Sequence, residues 1–243
     1  MSTDTHLAFD GFGDLVEVAH MARRPIADLI KEIQDVYLMD NRPWVVGYSG
    51  GKDSTVILQL VYFALSNLSP EQRTKPVFVI SSDTLVETPL VVDLITSTLE
   101  TVNKCAIKSE LPVSCHLVHP KTSETFWVNL LGKGYPAPTK QFRWCTERMK
   151  IDPVSDFILE KVADFGEVVV ILGSRSQESA SRAQVIKKHR IEGSLLSRHT
   201  TLPNAYIYSP IADWTHDDVW DLLLTAPRPW GGTNDRLFEL YKG

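Results

Sequence analysis

The feature that most constrains the fold of this sequence is the alternation of short apolar runs with segments of helical periodicity. Four runs have the length of buried strands: 44–48, 76–80, 114–118 and 167–172. Five segments favour helices: 25–40, 54–68, 88–102, 152–162 and 215–224. Short buried strands between helices are typical of a parallel sheet covered on both faces. The sequence therefore predicts an α/β fold with an open, mostly parallel sheet and helices on both faces.

The bulk properties fit one large domain with a buried core. The chain has 243 residues, of which 43% are hydrophobic and 23% charged. We expect a single domain over 1–243, with a short helical C-terminal extension from about residue 210. No apolar run is long enough to span a membrane, and the polar N-terminus has no signal-peptide pattern, so we expect a cytoplasmic protein that does not contact membranes.

Positive charge is concentrated in two segments of a chain whose net charge is −5. Segment 140–150 carries a net charge of +3, and segment 175–190 a net charge of +4. Both could simply be solvated faces. They could equally contact phosphate groups, although the acidic remainder of the chain suggests that partners supply much of any affinity for DNA.

A glycine-rich loop at the first strand–helix junction is the sharpest motif. We call it the phosphate loop, and its residues are Ser49, Gly50, Gly51, Lys52, Asp53 and Ser54. Paired glycines let the backbone approach a phosphate closely, and the free N–H groups of the following helix attract an anion. The serines can add hydroxyl donors, Lys52 a charge, and Asp53 an oxygen ligand for Mg²⁺. The alternative is a glycine-rich turn without a ligand.

Two further groups of polar residues follow predicted strands. Asp83 and Thr84 come after the second strand, and would lie beside the phosphate loop if the first two strands are neighbours. The last group consists of Gly173, Arg175, Glu178 and Arg182. The two arginines can clamp phosphate oxygens, and Glu178 could orient one of them. Both groups could instead be ordinary turns or helix caps.

These motifs carry a resemblance to a known enzyme class. The phosphate loop lacks the spacing of a Walker A loop and resembles the PP-loop signature, whose family cradles the pyrophosphate of ATP. Gly173-x-Arg175-x-x-Glu178-Ser179-x-x-Arg182 and the stretch Pro210–Trp220 resemble motifs of the phosphoadenosine phosphosulfate (PAPS) reductase superfamily. The resemblance implies an adenine nucleotide α-hydrolase-like, Rossmann-like fold and a PP-loop ATP pyrophosphatase that forms AMP and pyrophosphate.

Three other stretches resemble the ATP-dependent sulfurtransferases of bacterial DNA phosphorothioation, the DndC and SspD-type proteins. They are 134–138, 142–150 and 227–231. This resemblance implies adenylation of a DNA backbone oxygen, its replacement by sulfur, cysteine desulfurase as sulfur donor, and other phosphorothioation proteins as partners. ATP and Mg²⁺ are the expected cofactors. Catalysis would fall to Lys52, Asp53, Cys145, Arg175 and Arg182.

Cys145 is the candidate sulfur-carrying thiol. It lies between Arg143 and Arg148, whose charge would favour the thiolate, although a buried inert thiol is the alternative. The resemblance also implies Cys145 as an iron–sulfur ligand. A cubane cluster normally needs four cysteines, and the only other cysteines of this chain are Cys105 and Cys115. We therefore expect a cluster only with ligands beyond this chain.

Three other functions remain open at this point. A PAPS reductase typically carries a cysteine near its C-terminus, and none occurs in 236–243. A tRNA-thiolating PP-loop enzyme usually has a Cys-x-x-Cys pair, which is absent from this sequence. The chain could also be a non-enzymatic nucleotide-binding scaffold of a DNA-modification complex, although an intact phosphate loop and two arginines argue for turnover.

Overall fold

The computed structural model describes residues 25–178, 189 and 191–242. The six strands form one sheet: β1 (Trp44–Gly47), β2 (Val77–Ser82), β3 (Val113–Val118), β4 (Val168–Ile171), β5 (Ser197–Arg198) and β6 (Ala205–Tyr208). Their spatial order is β3-β2-β1-β4-β6-β5, and all neighbours are parallel except β5 and β6. The predicted open and mostly parallel sheet is therefore confirmed.

Six α-helices accompany the strands in the described part of the chain. They are α1 (Ile26–Leu38), α2 (Lys52–Ser66), α3 (Pro89–Lys108), α4 (Asp152–Phe165), α5 (His216–Thr225) and α6 (Asp235–Lys242). The five predicted helices are all present. A helical turn, Trp144–Thr146, and a π-helical turn, Glu147–Ile151, lead directly into α4.

The helices divide between the two faces of the sheet because strand side chains alternate between them. Trp44 and Val46 of β1 point into a large cluster that also contains the buried faces of α1, α2, α3, α5 and α6. Val45, on the opposite face of β1, joins a smaller cluster with Ile158 of α4. Helices therefore cover both faces, as the sequence predicted.

Helix α2 is the centre of the larger layer. Every residue from Ser54 to Leu65 is buried, which is the pattern of a helix enclosed on all sides. It packs against α1, β1 and α5. Since the phosphate loop leads into α2, the most enclosed helix of the molecule fixes the position of that loop.

Candidate nucleotide site at the carboxyl edge of the sheet

The phosphate loop turns sharply between β1 and α2 because of one glycine. Gly50 has φ +71, and a Cβ atom on it would lie 2.8 Å from Cγ1 of Ile95 in α3. Both the backbone conformation and the space therefore require glycine. Gly51 is the N-cap residue of α2, and no side chain makes a capping hydrogen bond to the first turn of this helix. The first N–H groups of α2 consequently face the outside of the turn, where an anion would be attracted.

Hydroxyl groups brace this loop from within. The backbone N–H of Ser49 donates to Oγ of Ser54 (3.1 Å), and the Ser54 hydroxyl donates to the carbonyl of Gly51 (2.9 Å). The hydroxyls of Ser49 and Ser54 are also 3.1 Å apart, and Thr55 Oγ1 donates to the same carbonyl. The sequence assigned Ser49 and Ser54 to phosphate binding. In the structure, their bonds hold the loop in shape.

A cluster of charged side chains stands at the start of α2. The Asp53 carboxylate accepts from Lys52 Nζ at 2.7 Å and from Arg175 Nε at 2.6 Å. The Arg175 side chain is only 5% exposed. The two predicted cations thus come together on one carboxylate beside the loop, although they are separated by more than 120 residues of chain.

Gly173 allows this approach. A Cβ on Gly173 would lie 2.8 Å from the backbone oxygen of Asp53 and 2.9 Å from its carbonyl carbon. Only a residue without a side chain lets the loop after β4 pass so close to the first turn of α2. Gly173 belongs to the site because it sets the distance between Arg175 and Asp53.

The remaining members of the arginine motif are only partly described. Glu178 ends a 3-10 turn, Ser176–Glu178, which is tied to the chain after β6 by Ser176 N–H donating to Ala212 O at 2.8 Å. Arg182 lies outside the described residues. The sequence suggested that Glu178 could orient one of the two arginines. In the structure, Arg175 donates a hydrogen bond to Asp53.

Asp83 and Thr84 lie at the same edge of the sheet, because β2 is the parallel neighbour of β1. Asp83 Oδ1 accepts from the N–H of Leu85 (2.8 Å), and its Oδ2 is 3.7 Å from His119 Nε2. Thr84 is buried and donates to Glu87 Oε1 (3.2 Å). Both side chains therefore shape the turn after β2 at this edge of the sheet.

Cys145 is half-buried in the helical turn Trp144–Thr146. Of its two neighbouring arginines, Arg148 is ion-paired with Glu124 and donates to the hydroxyl of Tyr135 at 2.9 Å. Five residues beyond Cys145, Lys150 pairs with Glu87 (2.8 Å), the same carboxylate that binds Thr84. This chain of contacts connects the cysteine segment to the β2 end of the site.

The other two cysteines are integrated into the fold. Cys105 Sγ lies 3.4 Å from the carbonyl oxygen of Trp230. Burial raises the pKa of the Cys115 thiol to about 12, so it remains protonated at neutral pH. Within residues 25–178, 189 and 191–242, no three metal-ligating side chains come together. In the same residues no helix has the length and apolarity needed to cross a membrane.

Sequence reasoning missed two tyrosines of this region. Tyr48 is buried beneath the phosphate loop, and burial raises its pKa. Tyr241, on the C-terminal helix α6, accepts a hydrogen bond from the N–H of Lys52 at 3.3 Å. Neither belongs to a local motif. The aromatic residues of 235–242 gave no indication of which part of the molecule they would contact.

The fold is an open, mostly parallel α/β sheet of the Rossmann-like, adenine nucleotide α-hydrolase type, with the phosphate loop at its carboxyl edge. The profile of the phosphoadenosine phosphosulfate reductase domain matches residues 43–229, so the chain belongs to this family.

Three relatives illustrate the match. An uncharacterized protein of Methanocaldococcus jannaschii is 28% identical over 207 residues, which are 85% of this chain and 36% of that protein. The chain thus spans about a third of that relative's length. The phosphoadenylyl-sulfate reductase of Candida auris, in a phosphate complex, has a TM-score of 0.50 at 16% identity, covering 90% of this chain and 92% of that one. The NH3-dependent NAD synthetase of Campylobacter jejuni has a TM-score of 0.50 at 12% identity, covering 89% and 78%. At these identities the two structures show a shared fold.

Proposed function

We propose that this chain splits ATP between the α and β phosphates and transfers AMP to an acceptor oxygen. The observation that carries the proposal is the meeting of Lys52 and Arg175 on Asp53, at the N-terminus of α2. A pyrophosphate group bound to the helix N–H groups would stand beside both cations. Because both cations would stabilise a pyrophosphate leaving group, this arrangement favours cleavage of ATP over nucleotide binding alone.

In the proposed reaction the acceptor oxygen attacks the α-phosphorus. The bond from the α-phosphorus to the bridging oxygen breaks, and its electron pair leaves with pyrophosphate. Lys52 and Arg175 stabilise the charge that develops on the leaving group. Asp53 is the carboxylate that would hold Mg²⁺ together with phosphate oxygens, and the ion would supply further positive charge there.

For the acceptor we propose a DNA backbone phosphate whose oxygen is exchanged for sulfur. Once adenylated, that oxygen can leave as part of AMP when a sulfur nucleophile attacks the DNA phosphorus. Cysteine desulfurase is the proposed sulfur source and Cys145 the proposed carrier, as a persulfide. A second thiol then attacks the Cys145 sulfur and forms a disulfide with it, and the phosphorothioate leaves with the electron pair of the broken sulfur–sulfur bond. Other phosphorothioation proteins are the proposed partners.

An exposed basic segment before Cys145 supports a polynucleotide acceptor. Phe142 is 47% exposed between Lys140 and Arg143, which are also exposed. Among the described residues, neither of these cations has an acidic partner. Nearby Trp127 is 60% exposed. Exposed aromatic rings next to unpaired cations are typical of surfaces on which bases stack and phosphates are neutralised.

The decisive measurement is product formation from ATP labelled in the α-phosphate. The chain is incubated with Mg²⁺ and no acceptor, a DNA oligonucleotide, or tRNA, and AMP and pyrophosphate are quantified. We expect DNA-stimulated release of both products. Asp53→Asn keeps the shape of the side chain but loses its charge, and we expect at least a tenfold lower rate from it.

Each alternative function gives a different outcome. A PAPS reductase would convert PAPS to sulfite with a thiol reductant and leave ATP intact. Stimulation by tRNA alone would indicate a tRNA-thiolating enzyme. Nucleotide binding without turnover under all conditions would identify a scaffold. Any of these results would replace the DNA-directed proposal.

The role of the basic segment can be tested separately. In the double variant Lys140→Glu and Arg143→Glu, we expect at least a tenfold weaker affinity for a single-stranded oligonucleotide, measured by fluorescence anisotropy. Lys31→Glu with Lys104→Glu is the matched control, because it makes the same charge change on α1 and α3. Equal losses in both double variants would show that only net charge matters.

A further inference from the structure

The C-terminal helix reaches the phosphate loop through one side chain. The Tyr241 hydroxyl accepts from the backbone N–H of Lys52 at 3.3 Å. It also lies 3.4 Å from the place that a Cβ on Gly51 would take. The hydroxyl therefore sits directly over the loop that the proposed function assigns to pyrophosphate.

This contact occupies a donor that an anion would use. Lys52 is the first residue of α2, so its N–H has no acceptor within the helix. An N–H group has one hydrogen, and at this position it points at the Tyr241 oxygen. A phosphate oxygen that binds this N–H must take the place of the hydroxyl.

The body of helix α6 is anchored, whereas Tyr241 near its end is half exposed. Leu237 is buried, and Arg236 binds Asp93 and Ser97 of α3. The Tyr241 ring, by contrast, is 51% exposed and rests edge-on against Trp220, 5.1 Å between ring centroids.

A groove beside the ring gives it room to move. The groove has a volume of about 600 Å³ and is lined by Trp220, Leu224, Phe238 and Tyr241 among others. A rotation of the tyrosine away from Lys52 would therefore keep the ring in contact with apolar side chains.

We propose that Tyr241 is a specificity-determining residue of the nucleotide site. Its hydroxyl takes the position of a phosphate oxygen at the Lys52 N–H, and a ligand must exchange with it to reach that N–H. This inference rests on the proposed function, which places the pyrophosphate part of ATP on the loop. Pyrophosphate and ATP must displace the hydroxyl, whereas AMP, which lacks the β and γ phosphates, has no need to do so.

The test is calorimetric titration of wild type and Tyr241→Phe with magnesium pyrophosphate and with AMP. The variant keeps the ring and loses only the hydroxyl. We expect it to bind pyrophosphate about two- to tenfold more tightly, the range of one net hydrogen bond, and to bind AMP as wild type does. Tyr206→Phe is the matched control. It removes a hydroxyl that bonds to Glu167 (3.0 Å) at the opposite edge of the sheet, and both affinities should stay unchanged.

Hydrogen exchange adds a second readout. In wild type, the amides of residues 238–242 should exchange faster when pyrophosphate is bound, because the end of α6 loses a contact. Weaker pyrophosphate binding by Tyr241→Phe would mean that the hydroxyl is a ligand of the phosphate, and would overturn the inference. So would unchanged affinity, or an equal change for AMP. A wild-type chain that binds no pyrophosphate would refute the proposed function and this inference together.

Discussion

Asp53 is the residue at which two distant loops of the site meet. Its side chain binds Lys52 and Arg175, and its backbone is the surface against which Gly173 packs. Backbone atoms cannot move aside as the end of a side chain can. A side chain on residue 173 could therefore be accommodated only by a shift of the backbone.

We predict that Gly173→Ala damages both stability and turnover. The added Cβ would lie 2.8 Å from the Asp53 oxygen, and overpacking of this kind costs about 1–3 kcal/mol. Arg175, two residues further on, would be pushed away from Asp53, so pyrophosphate release should fall further than the folded fraction does. Urea unfolding and the labelled-ATP assay measure the two effects.

Gly132→Ala is the control for this prediction. A Cβ on Gly132 would find its nearest neighbour, Val128 Cγ1, at 3.8 Å, which is ordinary contact. We expect a change within about 0.5 kcal/mol in unfolding free energy and normal turnover. If Gly173→Ala matched this control in both assays, the close approach would have no functional importance.

Sequence reasoning predicted that these residues lie at one edge of the sheet but did not predict all their pairings. The phosphate loop and the arginine motif each follow a strand, and parallel strands bring their carboxyl ends to one edge, so proximity was predictable. The bond from Arg175 to Asp53 joins residues 122 positions apart, and its formation depends on β4 lying next to β1. No local pattern encodes that adjacency.

At the scale of single elements, helix α5 shows that a local pattern can be sufficient to define where a helix begins. Thr215 Oγ1 accepts from the N–H of Asp218 (3.2 Å), and Asp218 Oδ2 accepts from the N–H of Thr215 (2.7 Å). This is a capping box with aspartate in place of the usual glutamate, a pattern that can be read directly from the sequence. The helix it begins packs against α2, behind the phosphate loop.

We predict that Thr215→Ala lowers the unfolding free energy by about 0.5–2 kcal/mol, the usual effect of losing an N-cap. Turnover per folded molecule should remain at the wild-type level, because Thr215 takes no part in the bonds that join Lys52 and Arg175 to Asp53. Thr225→Ala, at the other end of α5, is the control and should change stability less. A turnover defect in Thr215→Ala would mean that α5 does more than support.

Strands β5 and β6 show where local patterns fail. Ala205–Tyr208 is four residues long with two half-buried positions, and β5 has only two residues. β5 has no apolar run, and the four apolar residues of β6 lie in a polar surrounding that gave no strand prediction. Strand β6 exists because it pairs with β4 from Val168↔Ala205 to Ile171↔Tyr208, so its assignment depends on the tertiary structure.

The turn between these strands should make stability depend on pH. His199 Nδ1 accepts from the N–H of Leu202 at 3.1 Å, so the bond requires an unprotonated nitrogen. Burial lowers the pKa of His199 below its usual 6.5. As the pH falls, His199 therefore becomes protonated in the unfolded chain before it becomes protonated in the folded chain. The stabilisation from His199 is complete above pH 6.5 and is lost as the pH drops through that value toward the lower folded pKa.

We therefore predict that the free energy of unfolding in urea falls more between pH 7.5 and pH 5.5 for wild type than for His199→Gln. Glutamine retains an acceptor for backbone N–H groups and does not titrate in this range. A variant with the same pH dependence as wild type would exclude His199 as a contributor.

At the scale of the whole molecule, the sequence determined the class of fold but left its arrangement open. Alternating strands and helices allow several strand orders, and β3-β2-β1-β4-β6-β5 emerged only with the structure. The same limit applies to the C-terminal helix. Its position over the phosphate loop depends on Arg236 reaching α3 and Leu237 entering the core, which are contacts over more than 100 residues.

The three cysteines lie on separate elements of this arrangement: α3, β3 and the turn before α4. Cys105 contacts a backbone carbonyl and Cys115 is a strand residue whose pKa is raised by burial, so neither is placed as a thiolate ligand. A four-iron cluster normally needs four such ligands. We therefore predict that the 243-residue chain, purified anaerobically, contains well below four irons per protomer. Iron analysis near four would show that ligands assemble between chains or from outside.

The same distribution of cysteines makes Cys145 the expected sulfur carrier. We predict that Cys145→Ser retains ATP cleavage, because the phosphate loop and its cation cluster are untouched, and loses more than tenfold in sulfur incorporation into DNA. Cys105→Ser is the control, since a serine hydroxyl can still bond to the Trp230 carbonyl. Mass spectrometry of digested DNA, after reaction with cysteine desulfurase and ATP, measures the phosphorothioate. Full incorporation by Cys145→Ser would show that sulfur passes directly from the donor to the adenylated phosphate, without a thiol of this chain.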